Sequence, residues 1–287
     1  MIASLLLPLF VHASPVALTP PDVSGLPPSA EINRPVARQP KKQPPEAPPA
    51  AMPPGTPDEL QTCLHLAQTK PAEAIKQAGD WLSASKGAAK AFPYQCLGAA
   101  LGQSGSWDEA EYAFLQARAA LAPSETVQRA RLAAMAGNAA MVDERYDAAL
   151  NALDLARADA ASAGDATLTG GIAVDRARAL ANLGRLPETG EALAIARKNV
   201  PNNPEAWLLS ATLARRENRL AAAQGYIEKA AELRPVDLEI GLEAGVIAML
   251  SGNEQAARKS WKSVIDADPS SPEAQTAQSY IAQLDTP

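Results

Sequence analysis

Histidine is almost missing from this 287-residue chain, which has only His12 and His65. A histidine-rich metal site or a Ser-His-Asp triad would have to be built around His65 alone, since His12 lies in an N-terminal apolar stretch. No HExxH, GxSxG, P-loop or CxxC spacing occurs, so the usual routes to metal, acyl-transfer and nucleotide chemistry lack their residues. His65 reads as a helix-surface residue. Asp143, Glu144 and Asp147 cluster, but Arg145 and Tyr146 stand among them, which is the content of a solvated turn rather than of a catalytic pair. The chain reads as a non-enzyme without a cofactor.

Basic residues are also in deficit: 26 Lys and Arg against 32 Asp and Glu give a net charge of −6. Nucleic-acid binding needs a basic face that releases counterions from phosphates, so that class of partner is excluded. Aromatics are only 4% although hydrophobic residues reach 47%, so the apolar content is mostly Ala and Leu. These residues favour helices and close helix packing, whereas a β-sandwich or barrel wants more β-branched and aromatic side chains. The composition predicts an all-α protein. No run approaches the roughly 18 consecutive apolar residues that a transmembrane helix needs.

Residues 1–13 read as a signal segment, with a short apolar core from Leu5 to Val11 and small-residue cleavage before Ser14. A basic residue ahead of that core is missing, and no Cys follows it to take a lipid anchor. The expectation is a periplasmic or secreted protein; the alternative is a cytoplasmic one whose N-terminus is no functional signal. Residues 14–56 form a proline-rich arm, with pairs such as Pro20-Pro21, Pro44-Pro45 and Pro53-Pro54. Proline removes amide donors and holds φ near −65°, so the arm cannot join a sheet or continue a helix. Arg34, Arg38, Lys41 and Lys42 make its middle basic, fitting either a solvated linker or a contact with an anionic surface.

From residue 57 onward proline and glycine become punctuation, and a period emerges. Segments starting at Pro204 and Leu238 align over 34 residues. The eighth residue is small (Ala211, Gly245), the twentieth is Ala (Ala223, Ala257), the twenty-fourth is bulky (Ile227, Trp261) and the thirty-second is Pro (Pro235, Pro269). Further units start near 170 (Ala177, Leu193, Pro201), near 130 (Gly137, Ala149, Leu153) and near 91 (Gly98, Ala110, Phe114). The starts at 91, 130 and 170 are 39 and 40 residues apart, so extra residues near Pro123 and 161–169 must form loops or helix extensions. A degenerate hairpin over 57–86 precedes the array, and a capping helix over 271–284, opened by Ser271 as N-cap, ends it. Small residues at positions eight and twenty let two antiparallel helices approach. The proline ends the second helix and re-aims the chain.

This pattern resembles the tetratricopeptide repeat (TPR). The resemblance covers about four-fifths of the chain and implies a right-handed superhelical solenoid of antiparallel helix hairpins, whose first helices line a concave groove. It implies a scaffold that binds another protein or a peptide, with envelope assembly or maturation as its setting. A self-associating structural module and an accessory subunit of an envelope enzyme are the alternatives, and the oligomeric state is open. Groove positions two, five, nine, twelve and thirteen of the first helices carry Arg131, Asn138, Arg178, Asn182, Arg215 and Arg216, and at the C-terminal end Leu242, Val246 and Met249. Arginine pairs bidentately with carboxylates and asparagine can hold a peptide backbone, so these residues suit an acidic segment or a C-terminal carboxylate. Two other readings stand beside this one: the arginines pair with acids on neighbouring helices, and the apolar trio packs on the capping helix. Cys63 and Cys96, the only cysteines, fall on first helices of adjacent hairpins, either as a disulfide or as two buried thiols.

Overall fold

The computed structural model describes residues 57–285; the signal segment expected at 1–13 and the arm at 14–56 lie outside the described residues. Thirteen α-helices and no strand occur among the described residues. They run α1 (Asp58–Thr69), α2 (Pro71–Ala84), α3 (Ala91–Gln103), α4 (Trp107–Ala120), α5 (Thr126–Val142), α6 (Tyr146–Ala163) and α7 (Ala166–Asn182). Then follow α8 (Leu186–Asn199), α9 (Pro204–Arg216), α10 (Leu220–Leu233), α11 (Leu238–Leu250), α12 (Glu254–Ala267) and α13 (Pro272–Leu284). Consecutive helices pair as hairpins and the hairpins stack in chain order. Among successive odd-numbered helices, α1–α3, α5–α7, α9–α11 and α11–α13 touch directly; no two successive even-numbered helices come comparably close. The odd row therefore lies on the inside of the bend.

Five hairpins share one turn chemistry. A residue in the left-handed region stands at Gly105, Glu144, Gly184, Asn218 and Gly252. The next amide donates back five residues, from Ser106, Arg145, Arg185, Arg219 and Asn253 to Leu101, Ala140, Leu180, Ala214 and Ala248 at 2.8–3.0 Å. This is the Schellman closure, which satisfies a carbonyl the helix end leaves orphaned. Only the first hairpin departs from it, turning instead through Lys70 into Pro71 at the first position of α2.

Inside each of these hairpins a residue of the first helix meets one sixteen positions later. A Cβ built on Gly98 would come within 2.8 Å of the Phe114 ring, and one on Gly137 within 2.6 Å of Leu153 Cγ. At these two positions an added methyl would overlap the partner as it is placed. Trp261 also stacks tilted on Tyr280 of α13 at 5.1 Å and donates from Nε1 to the Leu242 carbonyl at 3.2 Å, so one side chain ties three helices.

Most of the extra residues between the early repeats are helix, while 121–125 around Pro123 form a turn. α5 and α7 start before residues 130 and 170, and α6 runs for 18 residues. Their added turns bury Ala130, Ala160 and Ile172 together. Asp159 of α6 receives Arg118 Nε at 2.7 Å and Arg129 Nε at 3.4 Å, while Arg129 Nη1 donates to the carbonyls of Arg118 and Leu121. That triad closes the connection between α4 and α5. At the far end, Ser271 Oγ accepts the Ala274 amide at 3.0 Å and opens α13.

Candidate functional site

The odd-helix face carries most of the candidate residues, and the helix register decides which of them stay accessible. Arg131 on α5 and Arg216 on α9 are exposed and make no ion pair or hydrogen bond among the described residues. Arg178 and Arg215 are different, with side chains only 16% and 14% exposed. Arg178 Nη1 donates to Asp175 Oδ1 at 2.7 Å, and its Nη2 pairs with Glu205 on α9. Arg215 Nε donates to Glu243 on α11 at 2.7 Å. Asn138 Nδ2 reaches Asp175 Oδ2 at 3.4 Å, and Asn182 Nδ2 donates to the Arg178 carbonyl at 2.9 Å. The result is a polar ladder running α5 to α7 to α9, with a second rung from α9 to α11.

These pairs cross from one hairpin to the next, so they tie the stack as well as line it. Burial pushes the Asp175 carboxyl above the usual range, against the opposing pull of Arg178 and Asn138. Glu243 is 3% exposed and has Arg215 as its counter-ion. A largely dry carboxylate–guanidinium row is costly to break, because each removal strands a buried charge. Arg178 and Arg215 are thus committed to the fold and not free to capture a carboxylate.

Leu242, Val246 and Met249 are buried as well, at 8%, 5% and 6% exposure. They join Trp261 and Val264 of α12 and Ala274 and Ala277 of α13 in one cluster, with Tyr280, Ile281 and Leu284 against it. α13 covers this apolar side of α11, so Leu242, Val246 and Met249 present no open apolar surface. Cys63 and Cys96 are joined by a disulfide between α1 and α3, with Cα atoms 6.0 Å apart and both residues fully buried. His65 is exposed on α1. Among the described residues, no group of three or more His, Cys, Asp or Glu side chains is placed to hold a metal, and no helix is long and apolar enough to cross a membrane.

The acids of the ladder, Asp175, Glu205 and Glu243, are functional neighbours that reading by groove position passes over. One signal for them is in the sequence: Glu243 is the single charge in the apolar run 240–250, where only a paired charge is tolerated.

No protein-family model matches the chain, and no curated protein matches it. Solved structures do. PilW, described as a widely conserved type IV pilus biogenesis factor, is similar with a TM-score of 0.62 at 18% identity, over 77% of this chain and 96% of that one. PilF of Pseudomonas aeruginosa is similar with a TM-score of 0.61 at 17% identity, over 77% of this chain and 95% of that one. YrrB, a TPR protein with an unusual peptide-binding site, gives a TM-score of 0.50 at 19% identity, over 73% and 98% of the two chains. The fold is that of a tetratricopeptide-repeat protein. As a TPR solenoid it is right-handed and superhelical, with α3, α5, α7, α9 and α11 as the first helices of its five regular repeats. The TPR register also explains the recurrent sixteen-residue pairing, which joins positions eight and twenty-four of each repeat.

Proposed function

We propose that this TPR solenoid is a protein-interaction scaffold that holds a segment of another protein along its odd-helix face. Arg131 and Arg216 are the recognition cations, and an acidic segment or a C-terminal carboxylate is the ligand they suit. The observation that carries the reading is the contrast within one row: four arginines share the face, two are saturated by neighbouring acids, and two are exposed with none. We place the protein in the cell envelope, periplasmic or secreted, acting in assembly or maturation. The buried Cys63–Cys96 bridge supports an oxidising compartment. The likeness to a pilus biogenesis factor and to a peptide-binding TPR protein supports the same setting and mode. The scaffold reading assigns no reaction to the chain.

The test is capture of the natural partner by mild crosslinking in intact cells, followed by binding measured with Arg131→Glu/Arg216→Glu. Affinity and its salt dependence should both fall. Unaltered affinity and salt slope in that variant would remove this face as the site. Reversing Arg178 and Arg215 is not an equivalent test, since it breaks the inter-repeat ladder.

A further inference from the structure

Every half-buried arginine among the described residues has a carboxylate partner except Arg197 of α8. Its Nη1 donates to Ser210 Oγ of α9. Its guanidinium carbon lies 4.6 Å from the ring centroid of Tyr226 on α10 and 5.8 Å from that of Trp207 on α9. Trp207 donates from Nε1 to the Pro201 carbonyl at 2.7 Å and tilts against Tyr226 with ring centroids 6.0 Å apart. One cation and two rings thus fill the wedge where α8, α9 and α10 meet. The rings compensate the guanidinium face and Ser210 takes one end. Nε and Nη2 bond nothing among the described residues. The buried side-chain polar atoms without a partner there are Asn138 Oδ1 and Arg145 Nη2, so the Arg197 Nε and Nη2 atoms reach the surface. They form the side edge of the guanidinium, a fork that takes a carboxylate through two parallel bonds.

One repeat later the same wedge is open. Thirty-four residues beyond Arg197, Trp207 and Tyr226 stand Ala231, Gly241 and Ser260. These small residues line a cavity of about 310 Å³ between α10, α11 and α12, with Ile240 and Val264 also in its wall. Val236 lines it too and is 81% exposed. Ala231 and Ile240 pack in the same apolar cluster as Trp207 and Tyr226, so the filled wedge and the open one are continuous. A cavity of roughly 300 Å³ is at the small end of ligand pockets and suits one bulky apolar side chain.

The charge beside the fork is positive. Lys198 follows Arg197 and is exposed. Of the acids on α8, α9 and α10, Glu188, Glu205, Glu228 and Glu232 are bonded to Arg185, Arg178, Gln224 and Lys229. Glu191 stands six residues before Arg197, nearly two turns away along α8. Tyr226 and Ala231 are five residues apart on α10, so fork and cavity are separated by on the order of 10 Å. About three residues of extended chain span that distance. We propose that wedge and cavity form a second docking surface, on the even-helix side, for an extended acidic–apolar segment of a partner protein. An Asp or Glu of that segment sits on Arg197, and an apolar side chain about three residues away enters the Ala231–Gly241–Ser260 cavity. The proposal rests on the scaffold reading but uses none of its inner-face residues.

Full-length protein with isotope-labelled arginine and tryptophan is titrated with the N-acetylated, amidated peptide Leu-Ala-Ala-Glu and with its reverse. The Arg197 Nε–H and Trp207 indole resonances report binding. One chain direction should shift both resonances saturably, and changing the peptide's Glu to Gln or its Leu to Gly should weaken it several-fold. Arg197→Lys keeps the charge and loses the fork, while Ala231→Leu fills the cavity. Each should weaken the peptide several-fold, read at Trp207, and Arg131→Glu/Arg216→Glu should leave it unchanged, so the two surfaces succeed or fail separately. Resonances that move with neither peptide, or equally with the glutamine peptide or with sodium chloride at matched ionic strength, would overturn the proposal. So would an Arg197→Lys variant with a lowered melting temperature and unaltered binding, which would leave Arg197 as a staple between helices.

Discussion

Gly245 lies against the indole of Trp261 so closely that no Cβ fits between them, closer even than Gly137 lies to Leu153. Where position eight is Ala, as at Ala177 and Ala211, position twenty-four is aliphatic, Leu193 or Ile227. The two aromatic partners, Phe114 and Trp261, both face a glycine, Gly98 and Gly245. Gly245→Ala should therefore destabilise by about 1–3 kcal/mol from overpacking, although alanine is the better helix former by about 1 kcal/mol. In a Trp261→Ile background the alanine penalty should vanish. Denaturant titration of the double-mutant cycle reads the coupling, and simple additivity would show that the two residues do not share space.

The first hairpin is the weakest. It buries Leu60, Cys63 and Ala67 from α1 and only Ala74 and Ala78 from α2, and it lacks the Schellman turn of the others. The Cys63–Cys96 bridge closes 33 residues and should contribute about 2–4 kcal/mol to holding it. Cys96→Ala is expected to raise amide exchange in α1 and α2 while leaving α5 to α12 protected. Native protein should show no alkylatable thiol before reduction.

Asp159 compensates two guanidiniums at once. Its side chain is 13% exposed and those of Arg118 and Arg129 are 16% each. Asp159→Ala strands both cations and should cost roughly 3 kcal/mol. Replacing all three with similar-sized apolar residues should recover much of that loss. A thermal shift in the single variant no larger than that of an exposed control such as Asp266→Ala would contradict the triad's role.

Asp237 caps α11, with Oδ1 accepting the amides of Glu239 and Ile240 at 3.0 and 3.1 Å. Burial pushes its carboxyl up, but Arg234 and those two amides together outweigh burial and hold it below the usual carboxylate range. A depressed folded value means the contribution is fully present above the unfolded value of about 4 and is lost as pH falls through the folded one. Asp237→Asn keeps the cap and removes the charge, so it should flatten that part of the acid limb of a stability–pH curve. Asp237→Ala should also lose about 1 kcal/mol at neutral pH.

The period, the pairing of small with bulky residues and the capping Ser271 were legible because they depend on helix geometry over sixteen to thirty-four residues of one chain segment. Composition alone pointed to helix rather than sheet. The sequence could not say whether the additional residues after Pro123 and before Gly170 made loops or helix, since alanine-rich segments suit both until Asp159 brings Arg118 and Arg129 together. Nor could it separate Arg131 and Arg216 from Arg178 and Arg215, four arginines at equivalent-looking positions. Their difference is set by acids 27 and 28 residues further on, at Glu205 and Glu243, which only stacking of successive hairpins brings within bonding distance. The burial of Leu242, Val246 and Met249 has the same origin. An apolar helix face reads alike whether it is open or covered, and here α13 covers it.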